Sequence, residues 1–164
     1  DLSIFGKGLN FACSFLNNLK IKTLIIRGNH ESSKALDNAC KKLKYMININ
    51  EYGTYTIDNY LFFGYGNSGF SFVDKKFEKI SSEFIKNLDK SKKLIFITHG
   101  PIYKTKLDKL PIGHRGSKSS RRFIEKTNPI LTLCGHFHEN FKVKDKIKNS
   151  VMINPGPNGM IIEI

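Results

Sequence analysis

The chain has 164 residues and a formal net charge of +13, from 27 Lys and Arg against 14 Asp and Glu. That length suits one domain over 1–164, and no apolar run approaches the roughly 18 residues a membrane-spanning helix needs, so no membrane partner is expected. The three cysteines, Cys13, Cys40 and Cys134, are odd in number and far apart, which suits buried free thiols in a reducing cytoplasm better than a disulfide framework.

Leu9, Ala12, Phe15, Leu16 and Leu19 recur at helical spacing and predict an amphipathic helix over roughly 7–20, followed by a strand over 22–27. Ser32 or Ser33 caps a second helix whose apolar face is Leu36, Ala39, Cys40 and Leu43. A short strand over 45–49 comes next. Strands 54–57 and 60–63 flank Asp58-Asn59, the signature of a two-residue hairpin. Phe77, Ile80, Phe84 and Leu88 mark a third helix, and strand 94–98 leads into a long loop over 100–116. Ser117 caps a basic helix holding Arg121, Arg122 and Phe123. Strand 130–134, a hairpin around 140–153 and a last strand over 159–164 complete the set. Early alternation of strand and helix with late hairpins predicts an α/β protein with mixed sheets.

Three of the apolar runs end in histidine. Thr23-Leu24-Ile25-Ile26-Arg27 enters Gly28-Asn29-His30-Glu31, Leu94-Ile95-Phe96-Ile97 enters Thr98-His99-Gly100-Pro101, and Ile130-Leu131-Thr132-Leu133-Cys134 enters Gly135-His136-Phe137-His138. Four of the five histidines sit at these ends. Taken singly, each is more often a turn residue than a ligand. Together they predict imidazoles gathered at the carboxyl ends of strands, where open α/β sheets bind ligands. His136-x-His138 places both rings on one face if extended and pinches a metal pair if turned. Imidazole nitrogen with oxygen from Asn29 and Asp1 suits Mn, Fe, Ni, Co or Zn, and not a Cys-rich structural zinc site. Cys134, beside the third motif, is expected in the core.

The order Gly-Asn-His-Glu, Thr-His-Gly-Pro, Gly-His-Phe-His resembles the calcineurin-like metallophosphoesterase superfamily over nearly the whole chain. Thr105-Lys106-Leu107-Asp108, His114-Arg115-Gly116-Ser117 and Asn154-Pro155-Gly156-Pro157 resemble stretches of its small prokaryotic, largely archaeal, members. The resemblance implies a sandwich of two mixed β-sheets flanked by helices and a phosphodiesterase or phosphomonoesterase with a dinuclear centre, manganese first among its metals. Asp1 then corresponds to the metal-bridging Asp of a Gly-Asp motif. Asn29, His99 and His136 correspond to ligands of the second metal, and His138 to a ligand of the first. His30 corresponds to the non-ligand histidine that assists the leaving oxygen. His114 and the amides near Ser117 are expected to hold a substrate phosphate. The expected substrate is a phosphoester small molecule or a nucleotide.

One motif is missing. The superfamily opens with a strand ending in Asp-x-His, which supplies two ligands to the first metal, and this chain has none. An N-terminally truncated chain is the preferred expectation; a short protein that has lost one metal site is the alternative. Two other functions stand beside hydrolysis. The superfamily includes a retromer subunit that serves as a scaffold, so a non-catalytic interaction module is one. The positive charge suits polyanions, so a nuclease is the other, although Lys142, Lys144, Lys146 and Lys148 read more simply as the wet face of a hairpin. Tyr65, Phe70 and Phe72 could line a substrate mouth, cover a dimer contact or belong to the core.

Overall fold

A computed structural model describes residues 1–164 apart from Tyr52, Asn67, Ser68 and Phe70. Helix α1 (Leu9–Asn18) and strand β1 (Thr23–Ile25) are followed by α2 (Ser33–Cys40) and β2 (Met46–Asn48). The chain then forms β3 (Thr54–Ile57), β4 (Tyr60–Tyr65), α3 (Lys75–Lys86) and β5 (Lys93–Thr98). A small hairpin of β6 (Lys109–Leu110) and β7 (Gly113–His114) precedes α4 (Lys118–Thr127). Strands β8 (Leu131–Leu133), β9 (Lys144–Ile147) and β10 (Ser150–Ile153) follow.

Six strands form a mixed sheet in the order β3-β4-β5-β8-β10-β9. The β4-β5, β5-β8 and β8-β10 pairs are parallel, and the hairpin strands β3 and β9 close the two edges antiparallel. Strands β1 and β2 pair in parallel as a second sheet. This small sheet approaches the end of β4 so closely that a Cβ on Gly64 would collide with the Ile49 carbonyl and the Ile26 side chain.

The alternation of side chains along the large sheet divides two clusters. Leu61, Phe63, Leu94, Phe96 and Met152 face α3 and α4, where Phe77, Ile80, Phe123 and Ile124 cover them. Tyr60, Phe62, Ile95, Leu131 and Ile153 face the opposite side. A separate cluster of Leu9, Cys13, Ile25, Leu36, Cys40 and Met46 holds α1, α2 and the small sheet together. All three cysteines are buried and free. On the edge strand β9, Lys144 and Lys146 are exposed while Ile147 is buried, an arrangement that discourages strand addition.

Local chemistry explains most element ends. Ser32 caps α2 by accepting from the Ala35 N–H at 3.1 Å, and Ser117 caps α4 by accepting from the Ser120 N–H at 3.1 Å. The Asp58-Asn59 hairpin forms with Ile57 opposite Tyr60. Two expectations fail. Residues 159–164 form no strand: Met160 and Ile162 lie against the face of the large sheet, so their alternation reflects one-sided burial and not a ladder. Helix α1 does not bury one stripe of the predicted apolar residues. Leu9 and Cys13 turn inward with Leu16, while Phe15 and Leu19 face out.

Phe96 is the centre of the main cluster, with Phe123, Phe77 and Phe63 rings at 4.8, 5.7 and 5.8 Å. Phe96→Ala is expected to lower stability by about 3–5 kcal/mol through the cavity it leaves. Ile161→Ala, at a site 95% exposed, should change it by less than about 0.5 kcal/mol. Chemical denaturation of both variants checks the contrast.

Candidate metal centre

Parallel pairing brings the carboxyl ends of β4, β5, β8 and β10 to one edge of the large sheet. There β5 runs into His99, β8 into Cys134-Gly135-His136 and β10 into Asn154-Pro155-Gly156-Pro157. The loop after β1 delivers Gly28-Asn29-His30-Glu31 to the same place from the other sheet. A cavity of about 230 Å³ lies between them, lined by Asp1, His99, His136, His138, Phe141 and Asn154 among others.

Three donor atoms converge beside it. His99 Nε2 is 2.7 Å from Asn29 Oδ1 and 3.1 Å from His136 Nδ1, and His136 Nδ1 is 3.0 Å from Asn29 Oδ1. Asp1 Oδ2 is 3.7 Å from His99 Nε2. Donors about 2.1 Å from one cation and at right angles lie about 3.0 Å apart. The edges of the triangle are therefore ones that neighbouring ligands of one cation could share, and the donor set fits a borderline divalent metal. The imidazoles are in the form such a metal needs. Burial, with positive groups nearby, pushes His99 down to about 3. Burial, with His138 next, pushes His136 down as well. Both remain neutral at physiological pH.

Backbone geometry fixes these atoms. The Phe137 N–H donates to the Gly135 carbonyl at 2.9 Å, closing a γ-turn around His136, whose φ is 70. This left-handed conformation is uncommon for a residue with a side chain. It is backed by Asn154, whose side-chain amide donates to the Phe137 carbonyl at 3.1 Å. At Gly28 a Cβ would run into the Asp1 carboxylate, so glycine is what lets Asp1 reach the site. Asp1 Oδ1 in turn accepts from the His30 N–H at 3.1 Å.

Glu31 is a clamp that the sequence did not single out. It is 5% exposed. Its Oε1 accepts from the Ser3 hydroxyl at 2.6 Å and from the Ser3 and Leu2 N–H groups at 2.9 and 3.1 Å. Its Oε2 accepts from the Gly28 N–H at 2.9 Å. Burial alone would raise this carboxyl, but the bonds from Ser3 and Gly28 prevail and hold it below the usual glutamate range. Only the glutamate next to a histidine motif signalled it in the sequence.

The remaining predicted residues are placed differently. His138 lines the cavity but lies outside the tight group of Asp1, His99 and His136, whose ligand atoms all fall within 4.8 Å of one another. His30 sits beside the group; its Nδ1 accepts from the Phe5 N–H at 3.1 Å. His114 and Ser117 do not line the cavity. His114 Nδ1 is 2.7 Å from the fully buried Asp108 carboxylate. The amides near Ser117 are spent within the fold: Gly116 on Asp108, Ser117 on the Pro101 carbonyl and Lys118 on the Phe72 carbonyl. Cys134 lies in the main cluster, its thiol pushed up to about 12 by burial. Tyr65 is buried with its hydroxyl on Asp74, Phe72 is exposed against Tyr103, and Phe70 lies outside the described residues.

Residues 5–140 match the model of the family described as calcineurin-like phosphoesterase. The chain belongs to that family. Asn29, His30, His99, His136 and His138 fall within the matched span and Asp1 just before it. Among solved structures, one crystal structure superposes with a TM-score of 0.75 at 20% identity, covering 93% of this chain and 64% of the other. TT1561 of Thermus thermophilus superposes with a TM-score of 0.71 at 15% identity, covering 92% of this chain and 70% of that one. These likenesses establish the shared α/β fold with mixed sheets flanked by helices. The chain spans less than two thirds of the first structure's length. No curated protein sequence matches it.

Within this phosphoesterase fold the Glu31 clamp has a testable signature. Glu31→Ala should cost about 3 kcal/mol by leaving buried donors without an acceptor. Because the folded pKa lies below the ordinary value of 4.5, the stabilisation is present above that pH and lost as pH falls through the folded value. Glu31→Gln should therefore flatten the acid limb of the stability profile, measured by denaturation at neutral and acidic pH.

Proposed function

We propose that this chain is a metal-dependent hydrolase of phosphoester bonds, acting on phosphodiesters or phosphomonoesters of small molecules or nucleotides. The observation that carries this reading is the triangle of Asn29 Oδ1, His99 Nε2 and His136 Nδ1, with edges of 2.7–3.1 Å and Asp1 alongside. Asp1, Asn29, His99 and His136 would hold one divalent cation, manganese first and Fe, Ni, Co or Zn after it. Asp1 and His138 would contribute to a second. When bound, such ions supply Lewis acidity toward a phosphoryl oxygen and lower the pKa of water.

The residues of the chain do the rest. His30 accepts the Phe5 N–H at Nδ1, which leaves its Nε2–H as a hydrogen-bond donor toward a phosphoryl or departing oxygen. Asp1 fixes the His30 backbone through its own carboxylate. His114, held by Asp108 through Nδ1, is kept as a candidate for the substrate phosphate although it lies away from the cavity, while Ser117 contributes by capping α4. Buried free thiols fit a cytoplasmic setting.

A second reading, a scaffold on the same fold, draws on the position of His138 outside the tight donor group. A nuclease draws on the charge alone and would show itself as steeply salt-dependent nucleic-acid binding.

The two histidine roles separate experimentally. His30→Ala should retain manganese, measured by calorimetry, and lose turnover of an aryl phosphodiester by about 10²–10³-fold. His136→Ala should weaken metal affinity itself by at least about 100-fold. Hydrolysis by His30→Ala at the parent rate would overturn the assignment.

A further inference from the structure

One buried side chain reaches both histidines of the His136-x-His138 pair. Asn154, 1% exposed, follows β10 and lines the cavity. Its Nδ2 donates to the Phe137 carbonyl at 3.1 Å, and its Oδ1 accepts from the Gly156 N–H at 3.1 Å. A carbonyl needs a donor and an N–H needs an acceptor, so these partners fix which end of the amide is nitrogen. The Asn154 backbone is held as well. Its N–H donates to the Val143 carbonyl at 3.1 Å, and its carbonyl accepts from the Lys142 N–H at 2.8 Å. The residue thus ties together the turn after β8, the segment entering β9 and the loop after β10.

The two ends of the amide lead to different imidazoles. The nitrogen end holds the peptide that leaves the γ-turn around His136, where φ is 70. Without that bond, nothing on this side opposes a return of His136 to a commoner backbone conformation. The oxygen end closes an Asx turn that seats Gly156, with φ 72. A Cβ there would lie 3.1–3.4 Å from Cβ, Cγ and Cδ1 of Phe141, so the bare glycine backs the Phe141 side chain. Phe141 in turn stacks on His138, with ring centroids 5.0 Å apart and planes 29° apart. One arm runs from Asn154 through Phe137 to His136, the other through Gly156 and Phe141 to His138.

We propose that Asn154 is a positioning residue that sets the spacing and orientation of the His136 and His138 rings through these two arms, and so governs how both face cations in the cavity. Removing outer partners that orient metal-binding imidazoles typically changes affinity by about 10–100-fold. The use of this spacing to hold metal rests on the hydrolase reading above; the positioning does not.

The test follows the rings themselves, by proton–nitrogen correlation spectra of the imidazoles in the metal-free chain. His114, held by Asp108 and away from the cavity, is the internal reference. Asn154→Ala should displace the His136 and His138 signals and leave those of His114 in place. Gly156→Ala, which keeps the bond from Asn154 to Phe137, should displace His138 and leave His136. Calorimetric titration with manganese should show binding about tenfold or more weaker in Asn154→Ala. Parent signals for both rings in folded Asn154→Ala overturn the proposal, as does a general loosening that moves His114 along with them. Should Asn154→Ala not fold, Gly156→Ala decides: selective displacement of His138 sustains the proposal, and an unmoved His138 overturns it. Equal manganese affinity in the parent and Asn154→Ala overturns the claim that this spacing governs the metal. A parent chain that binds no manganese would sink the metal reading of the site, and the ring signals would still decide the positioning.

Discussion

Asn29 Oδ1, His99 Nε2 and His136 Nδ1 meet at 2.7–3.1 Å, distances that serve hydrogen bonds and that also suit ligands of one cation. All three carry lone pairs, and at most one proton fits comfortably among them. Such an encounter does not arise by relaxation of side chains; it must be imposed by the frame. Here the frame is a row of parallel strand ends, a γ-turn that holds His136 at φ 70 and a glycine that makes room for Asp1. Each device costs the fold a little, in backbone strain or lost side-chain packing. That cost is consistent with a site shaped for its ligand and not for the empty protein.

The parts of this frame legible in the sequence are those with local causes. A β-branched run followed by glycine and histidine reports a buried strand that ends in a turn, and three such runs predicted histidines gathered at strand ends; His99 and His136 do meet, with Asn29, while His30 and His138 lie outside the tight group. Ser32 and Ser117 were readable as caps for the same reason: their partners are three residues away. What could not be read depends on distant partners. Glu31 joins Ser3 to Gly28, and no local pattern distinguishes that role from an exposed charge. The amides around Ser117 looked available to a phosphate because the carbonyls of Phe72 and Pro101 that occupy them lie elsewhere in the chain.

Periodicity misled in two instructive places. In 159–164 the alternation of apolar residues is real, but it records contact of Met160 and Ile162 with a sheet face, not hydrogen bonding at an edge. In α1 the apolar residues cover two sides of the helix, and helical spacing cannot say which side turns inward. Leu9 and Cys13 won because they meet Leu36 and Met46; Phe11 and Phe15 were left to the surroundings. The same element therefore supplies a core contact on one side and an accessible apolar strip on the other.

The separation of the apolar clusters has its own consequence. His99 and His136 extend from the large sheet packed under α3 and α4, whereas Asn29 and Asp1 belong with the two-stranded sheet and its pair of helices. Any ion gripped by all four side chains would act as a rivet between the two sheets. Whatever binds only this arrangement stabilises it, so the seating of one sheet against the other would tighten with the supply of metal around it.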